Sequence, residues 1–242
     1  MLVYEYFEAE GTTLSIECYL PKNPSGKGLV FYYGGGWIED NRHRFRRFAQ
    51  DLIKQGITVF LPGYRVYSLH EALPVVGMED ALAGMKCLEN LYPKYGVSTE
   101  EVSWGGGSAG AQLVLTGAFV SPFCEQIEVL PRKIILFNPV CCPHSLQGWI
   151  KQQVGREFDF TGLCPLCNMN VIPIHKPRIL AMHGTNDSIA PMKDLEKFAE
   201  KYRDVGGECS VLSYPGREHG FHHPENSEED YKETLETVLN FL

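Results

Sequence analysis

Gly106-Gly107-Ser108-Ala109-Gly110 sets a serine among glycines, between a short run that enters a strand (Glu101 to Trp104) and an apolar helical stretch (Ala111 to Phe119). The spacing is G-x-S-x-G in a strand-to-helix context, which carries a nucleophile on a sharp, strained turn. Glycine at Gly106 and Gly110 and the small Ala109 relieve the crowding that larger side chains would create there. The helix that follows directs its positive end at the turn and favours developing negative charge. Ser108 is therefore a candidate for attack on an acyl carbonyl. The competing reading, a glycine-rich turn with an incidental serine, does not use the strand and helix on either side.

A serine needs partners to do this chemistry. The tetrahedral intermediate requires preorganised N–H donors, each contributing roughly 10²–10³ in rate. Tyr33-Gly34-Gly35-Gly36-Trp37 ends an earlier strand, and Gly35 and Gly36 can turn two backbone N–H groups inward, with Ala109 supplying a third. A phosphate-binding turn is the alternative, but it would want a helix immediately after, a lysine or a G-x-G-x-x-G spacing. Proton removal requires an imidazole held in the right tautomer by a carboxylate. In the chain order serine, acid, histidine, the sequence offers Asp187 in His183-Gly184-Thr185-Asn186-Asp187 and His219 in Glu218-His219-Gly220-Phe221. His183 is read as a brace for the acid's loop. His222 and His223 are rival bases, and Asp159 and Asp194 are weaker acids.

Further residues have two readings each. Trp37 and Trp149 line a sugar or acyl pocket, or else bury their bulk. Glu39, Asp40, Arg42, His43, Arg44, Arg46 and Arg47 read as a solvated face. Asp80 serves helix packing or a loop contact. Cys164-Pro165-Leu166-Cys167 has the spacing of a redox or zinc motif. A second such pair is missing and adjacent Cys141-Cys142 is not at ligand spacing, so a structural role is expected, with no metal and no cofactor.

The elements that must position these residues alternate. Val3 to Ala9 and Thr13 to Leu20 read as a hairpin around Glu10-Gly11-Thr12. Strands follow at Gly28 to Tyr33, Ile57 to Leu61, from Glu101, and at Lys133 to Phe137, Arg178 to Met182 and Cys209 to Tyr214. Helical stripes run from Phe45 to Ile53, from Met78 to a stop at Pro93, from Ala111 to Phe119, from Lys193 to Val205 with Leu195, Phe198 and Tyr202 inward, and from Glu228 to Leu242. Unbroken apolar strands alternating with helices mean a mostly parallel sheet covered on both faces, and ligands on such sheets bind beyond the carboxyl ends of the strands. Every candidate above sits at such an end. Residues 141–177 break the rhythm. They contain a short helix (Ser145 to Val154) and then irregular chain, which is either a lid or pocket wall or a packed excursion.

Together, Tyr33 to Trp37, Pro62-Gly63-Tyr64-Arg65, Gly107-Ser108-Ala109-Gly110-Ala111, Phe137-Asn138-Pro139-Val140, His183 to Asp187 and His219-Gly220-Phe221 resemble the hormone-sensitive-lipase-like and acetyl-xylan-esterase-like branches of the α/β-hydrolase superfamily. The resemblance spans about residues 25–242. It implies a single domain over 1–242 with an eight-stranded, mostly parallel sheet, an amino-terminal antiparallel hairpin and helices on both faces. It also implies a small bacterial acetylesterase acting on acylated carbohydrates, with Arg65 bracing loops. Tyr33 stands where the family usually has histidine, and Ala111 where it usually has glycine. The Ser-Ala-Gly-Ala elbow is also similar to arylformamidases, and the lipase branch's amino-terminal cap is missing.

Composition bounds the rest. A length of 242 residues suits one large core, and a net charge of -8 argues against a nucleic-acid footprint. No run approaches a membrane span and no signal peptide is seen, so a cytoplasmic protein with reduced core thiols is expected. The expected partner is a small ester. Besides the serine carboxylesterase, the sequence leaves open an arylformamidase and an inactive hydrolase-fold interaction protein. Oligomeric state is not legible.

Overall fold

The strands order themselves around one reversal. In the computed structural model, which describes residues 1–9, 11–169 and 176–242, the strands are β1 (Leu2–Ala9), β2 (Thr12–Tyr19), β3 (Gly28–Tyr32), β4 (Thr58–Pro62), β5 (Val102–Gly107), β6 (Lys133–Phe137), β7 (Arg178–Gly184) and β8 (Cys209–Tyr214). They form an eight-stranded sheet in the order β1-β2-β4-β3-β5-β6-β7-β8. β1 and β2 form an antiparallel hairpin, β2 runs antiparallel to β4, and every other pairing is parallel. The expected architecture, including the hairpin, is the observed one. Glu10, at its tip, lies outside the described residues.

The helices are α1 (Arg46–Ile53), α2 (Tyr67–His70), α3 (Pro74–Lys94), α4 (Ala109–Phe119), α5 (Gln147–Val154), α6 (Pro165–Asn168), α7 (Met192–Asp204) and α8 (Glu228–Phe241). From β3 the chain steps one way to β4 and then back past β3 to β5. Right-handed crossovers in opposite directions place α1 on one face of the sheet and α3, α4 and α7 on the other. α8 joins α1 through an Arg47–Glu228 ion pair at 2.6 Å and a Tyr231 hydroxyl that donates to Asp51 at 2.6 Å. With both faces covered, β3, β4 and β5 are buried along their whole length. α4 lies so deep that all its residues are buried. No helix among the described residues is long and apolar enough to cross a membrane.

Local sequence sets the helix ends. α3 starts on Pro74, whose missing N–H is harmless at a first turn. It runs one residue past Pro93, because Tyr95 N–H still reaches the Leu91 carbonyl at 3.1 Å and Val97 N–H returns to Tyr92 at 2.9 Å. The Ser227 hydroxyl caps α8 by accepting from Asp230 N–H at 3.1 Å, with Glu228, Glu229 and Asp230 in the first turn against the helix dipole. The four-residue helix α2 had no readable signal, since it has no buried residue to give it a periodic stripe.

Arg65 and Asp80 tie the loop after β4 to α3. The Arg65 guanidinium donates from Nε and Nη2 to Asp80 at 2.9 and 2.8 Å, and its backbone N–H donates at 2.9 Å. The Asp80 side chain is 1% exposed. Removing one partner of a buried pair strands the other charge, at a cost of about 3–5 kcal/mol. Urea unfolding of Asp80→Ala should show a loss of that order, and a change below about 1 kcal/mol would mean that the pair does not hold the loop.

Candidate functional site

Five strand ends converge on one cavity. β5 stops at Gly107, and Ser108 takes φ 52° and ψ −117° before α4 begins. A side chain in the left-handed half of backbone space is strained, and it persists only where the surroundings fix it. Here the fixing is close packing. A Cβ on Gly110 would lie 2.2 Å from the Tyr32 carbonyl oxygen, and one on Gly106 would lie 2.5 Å from Gly110 itself. The glycines thus let the elbow press against the end of β3. The Ser108 N–H donates to the Phe137 carbonyl at 2.9 Å, anchoring the turn to β6.

His219, on the loop after β8, brings Nε2 to 2.9 Å from Ser108 Oγ and Nδ1 to 2.7 Å from Asp187 Oδ2. Arg217, in the same loop, is held by Asp230 of α8 at 2.8 Å. Asp187 follows β7, and its side chain is enclosed. Its Oδ1 accepts N–H bonds from Ile189 at 2.9 Å and Ala190 at 2.8 Å, and Oδ2 accepts from Asn138 Nδ2 at 2.9 Å. Burial opposes ionisation of this carboxyl. Hydrogen bonds from His183 and His219, the charge of His219 and the Ala190 N–H outweigh it and hold the group well below the usual carboxylate range. His183, fully buried, places Nε2 2.9 Å from the Ala190 carbonyl and 3.2 Å from Asp187, so it braces the acid's turn.

Asn138 had been quoted only as part of a motif. It sits just after β6 at φ 42°, donates to Asp187 and accepts the Gly220 N–H at 3.2 Å through Oδ1. One amide thus clasps the acid's loop to the histidine's loop. The available signal was asparagine at a strand end, a residue type that tolerates this backbone region.

The glycine loop follows β3. Gly35 has φ 132° and Gly36 φ 63°, conformations that favour glycine. Among the described residues, no acceptor meets the N–H of Gly35 or Gly36, and the N–H of Ala109, first in α4, has no intrahelical partner. The loop is braced by Tyr33 in place of histidine. Its hydroxyl donates to the Tyr64 carbonyl at 3.2 Å, the Tyr64 hydroxyl donates back to the Tyr33 carbonyl at 2.9 Å, and the rings stack at 4.5 Å.

Trp149 of α5 does line the cavity, with its ring 2.5 Å from where a Cβ on Gly36 would stand. Trp37 does not, and the expectation is corrected. It is 1% exposed, and its indole N–H donates at 2.9 Å to Gln112 in α4, because the loop folds back after Gly35 and turns the ring into the core. The fold also carries Cys142 to the Cys164 and Cys167 pair, from which it is distant in sequence. Arg44, expected on a solvated face, lines the cavity together with Phe45, Leu146, Gln153, Ile189, His222 and His223. Asp159 is exposed and Asp194 lies in α7, neither on the cavity. The cavity holds about 270 Å³. Part of the irregular segment, residues 170–175, lies outside the described residues.

His222 and His223 pack beside the site rather than on Ser108. His222 stacks on Phe137 at 4.4 Å. Burial pushes its pKa well below the ordinary value, and burial pushes that of His223 down to about 4. Both are therefore neutral at pH 7.

The chain matches two family models in succession: BD-FAE over residues 16–129 and the dienelactone hydrolase family over residues 148–242. It is 28% identical to an acetylxylan esterase of Xylanibacter ruminicola over 215 residues, 84% of this chain and 43% of that protein. It is 22% identical to a probable isoprenylcysteine alpha-carbonyl methylesterase of Oryza sativa subsp. japonica, covering 84% of this chain and 54% of that protein. The chain thus spans about half the length of the curated relatives it matches. Among solved structures, Thermogutta terrifontis esterase 2 superposes with a TM-score of 0.82 in its propionate-bound form, at 24% identity over 100% of this chain and 93% of that one. The form of that esterase phosphonylated by sarin superposes with a TM-score of 0.85, at the same identity and coverage.

Two expectations follow from this geometry. Below pH 6.5 the unfolded chain protonates His223 while the folded one does not until about pH 4. Stability is therefore fully present above pH 6.5 and falls as pH drops, by on the order of 3 kcal/mol at pH 4 from this residue. Urea midpoints from pH 7 to pH 4 should decline, and less steeply in His223→Gln; identical slopes would contradict the assignment. Gly36→Ala should strain the loop and drive its Cβ into Trp149, lowering ester turnover at least tenfold; unchanged turnover would mean the loop is uninvolved.

Proposed function

We propose that this chain, which belongs to the α/β-hydrolase esterase family, is a serine carboxylesterase acting on small acyl esters. The observation that carries the reading is the continuous relay from Ser108 Oγ to His219 at 2.9 Å and from His219 to Asp187 at 2.7 Å. Ser108 Oγ attacks the ester carbonyl while His219 Nε2 takes its proton. Asp187 keeps the Nδ1–H tautomer and stabilises the imidazolium, and its depressed pKa keeps the proton on the histidine. The N–H groups of Gly35, Gly36 and Ala109 receive the oxyanion. His219 then protonates the leaving alcohol, and water releases the acyl group by the same steps in reverse order.

The acyl group is small, acetyl first. A cavity of about 270 Å³ falls below the roughly 300–1,000 Å³ of drug-sized ligand sites, and the ring of Trp149 against Gly36 closes one side. Residues 141–169 act as a pocket wall, through Leu146, Trp149 and Gln153. A carbohydrate alcohol is supported by the likeness to an acetylxylan esterase. Covalent capture of Thermogutta terrifontis esterase 2 by organophosphorus compounds such as sarin supports a reactive serine here.

The test is a hydrolysis panel of p-nitrophenyl acetate, butyrate and octanoate, acetylated xylo-oligosaccharides and N-formylkynurenine. Acetate and sugar esters should turn over best, and Ser108→Ala should lose at least about 10³-fold in kcat with an unchanged unfolding curve. A Ser108→Ala protein that retains full activity would overturn the nucleophile, and preference for the formamide would move the protein to amide chemistry.

A further inference from the structure

Three thiols in the segment after β6 take no part in the proposed hydrolysis, and none of them lines the cavity at Ser108. The sulfurs of Cys142, Cys164 and Cys167 all lie within 4.8 Å of one another, with Cys164 buried, Cys142 half-buried and Cys167 exposed. Cys142 Sγ and Cys164 Sγ are 3.7 Å apart. A tetrahedral ion with metal–sulfur bonds of about 2.3 Å holds its sulfurs about 3.8 Å apart. A disulfide needs about 2.05 Å, and all three cysteines are free. The spacing suits ligands around a shared centre.

The backbone around these sulfurs is tied together by hydrogen bonds. Cys164-Pro165-Leu166-Cys167 turns so that the Cys167 N–H donates to Cys164 Sγ at 3.4 Å. Leu166 N–H donates to the Cys141 carbonyl at 3.0 Å, stitching this turn to the chain after β6 that carries Cys142. Lys201 Nζ holds the Leu166 carbonyl from α7 at 3.1 Å.

The geometry points to a metal site formed by the thiolates of Cys142, Cys164 and Cys167, taking a borderline or soft divalent cation of the Zn²⁺ class, with the fourth position open to solvent beside exposed Cys167. Each ligating thiol releases its proton to solvent, and no electron is transferred. The ion would join the two ends of the stretch that carries Leu146 and Trp149, and so fasten the cavity wall rather than act on the ester.

The test uses the full chain, reduced and stripped with a chelator, then titrated with Co²⁺. The expected result is sulfur-to-cobalt charge-transfer absorption in the near ultraviolet with tetrahedral bands in the visible, saturating at one ion per chain and displaced by Zn²⁺. Cys167→Ser, an exposed substitution, should weaken Co²⁺ binding at least tenfold with an unchanged unfolding curve in the metal-free protein. Cys124→Ser, outside the cluster, should bind as the parent does. Absence of the charge-transfer band with all thiols reduced would overturn the site, and so would a band of undiminished intensity and affinity in Cys167→Ser.

Discussion

The whole site hangs on a backbone turn that most residues would not accept. Ser108 occupies φ 52° so that its Oγ projects from the end of β5, and the helix behind it can start only if the elbow presses into β3. Gly106 and Gly110 permit that approach, since a methyl group on Gly110 would overlap the carbonyls of both Tyr32 and Tyr33. From this one contact follow the position of the glycine loop, the direction of α4 and the placement of the Ala109 N–H. The strain is local, and the buried strands on either side bear it.

Polar order around the elbow is dense because the site is enclosed. Asp187 collects donors from Ile189, Ala190, Asn138, His183 and His219. A carboxylate so surrounded stays charged despite burial, and an imidazole beside it has one orientation to adopt. The tyrosine pair at Tyr33 and Tyr64 braces the glycine loop by holding both backbones through reciprocal hydroxyl bonds.

Much of this was legible in the sequence. The strands announced themselves through unbroken apolar runs such as Leu29 to Tyr32 and Ile134 to Phe137, whose lack of alternation comes from burial on both faces. Ser108, Asp187 and His219 were marked by their places at strand ends, and the structure brings them together. What depended on packing in three dimensions was not legible. Trp37 and Trp149 look equivalent as residues, yet one meets Gln112 in the core and the other borders the cavity. Asn138 gave no sign of linking two loops distant in sequence. Cys142 joins Cys164 only because the segment between them folds back on itself, and linear spacing cannot register such a return.

The pieces of the cavity come from the ends of β3, β5, β6, β7 and β8, so no contiguous half of the chain contains it. Loop closure over such separations is slow and is completed late in folding, when the sheet is nearly whole. A partly folded chain therefore has Ser108 as an ordinary alcohol, without an imidazole beside it or donors facing it. Reactivity becomes a property of the finished molecule. On the proposed function, an incomplete chain emerging during synthesis, or one whose edge strand β8 has frayed, is chemically silent, because the loop after β8 is what brings His219 to Ser108.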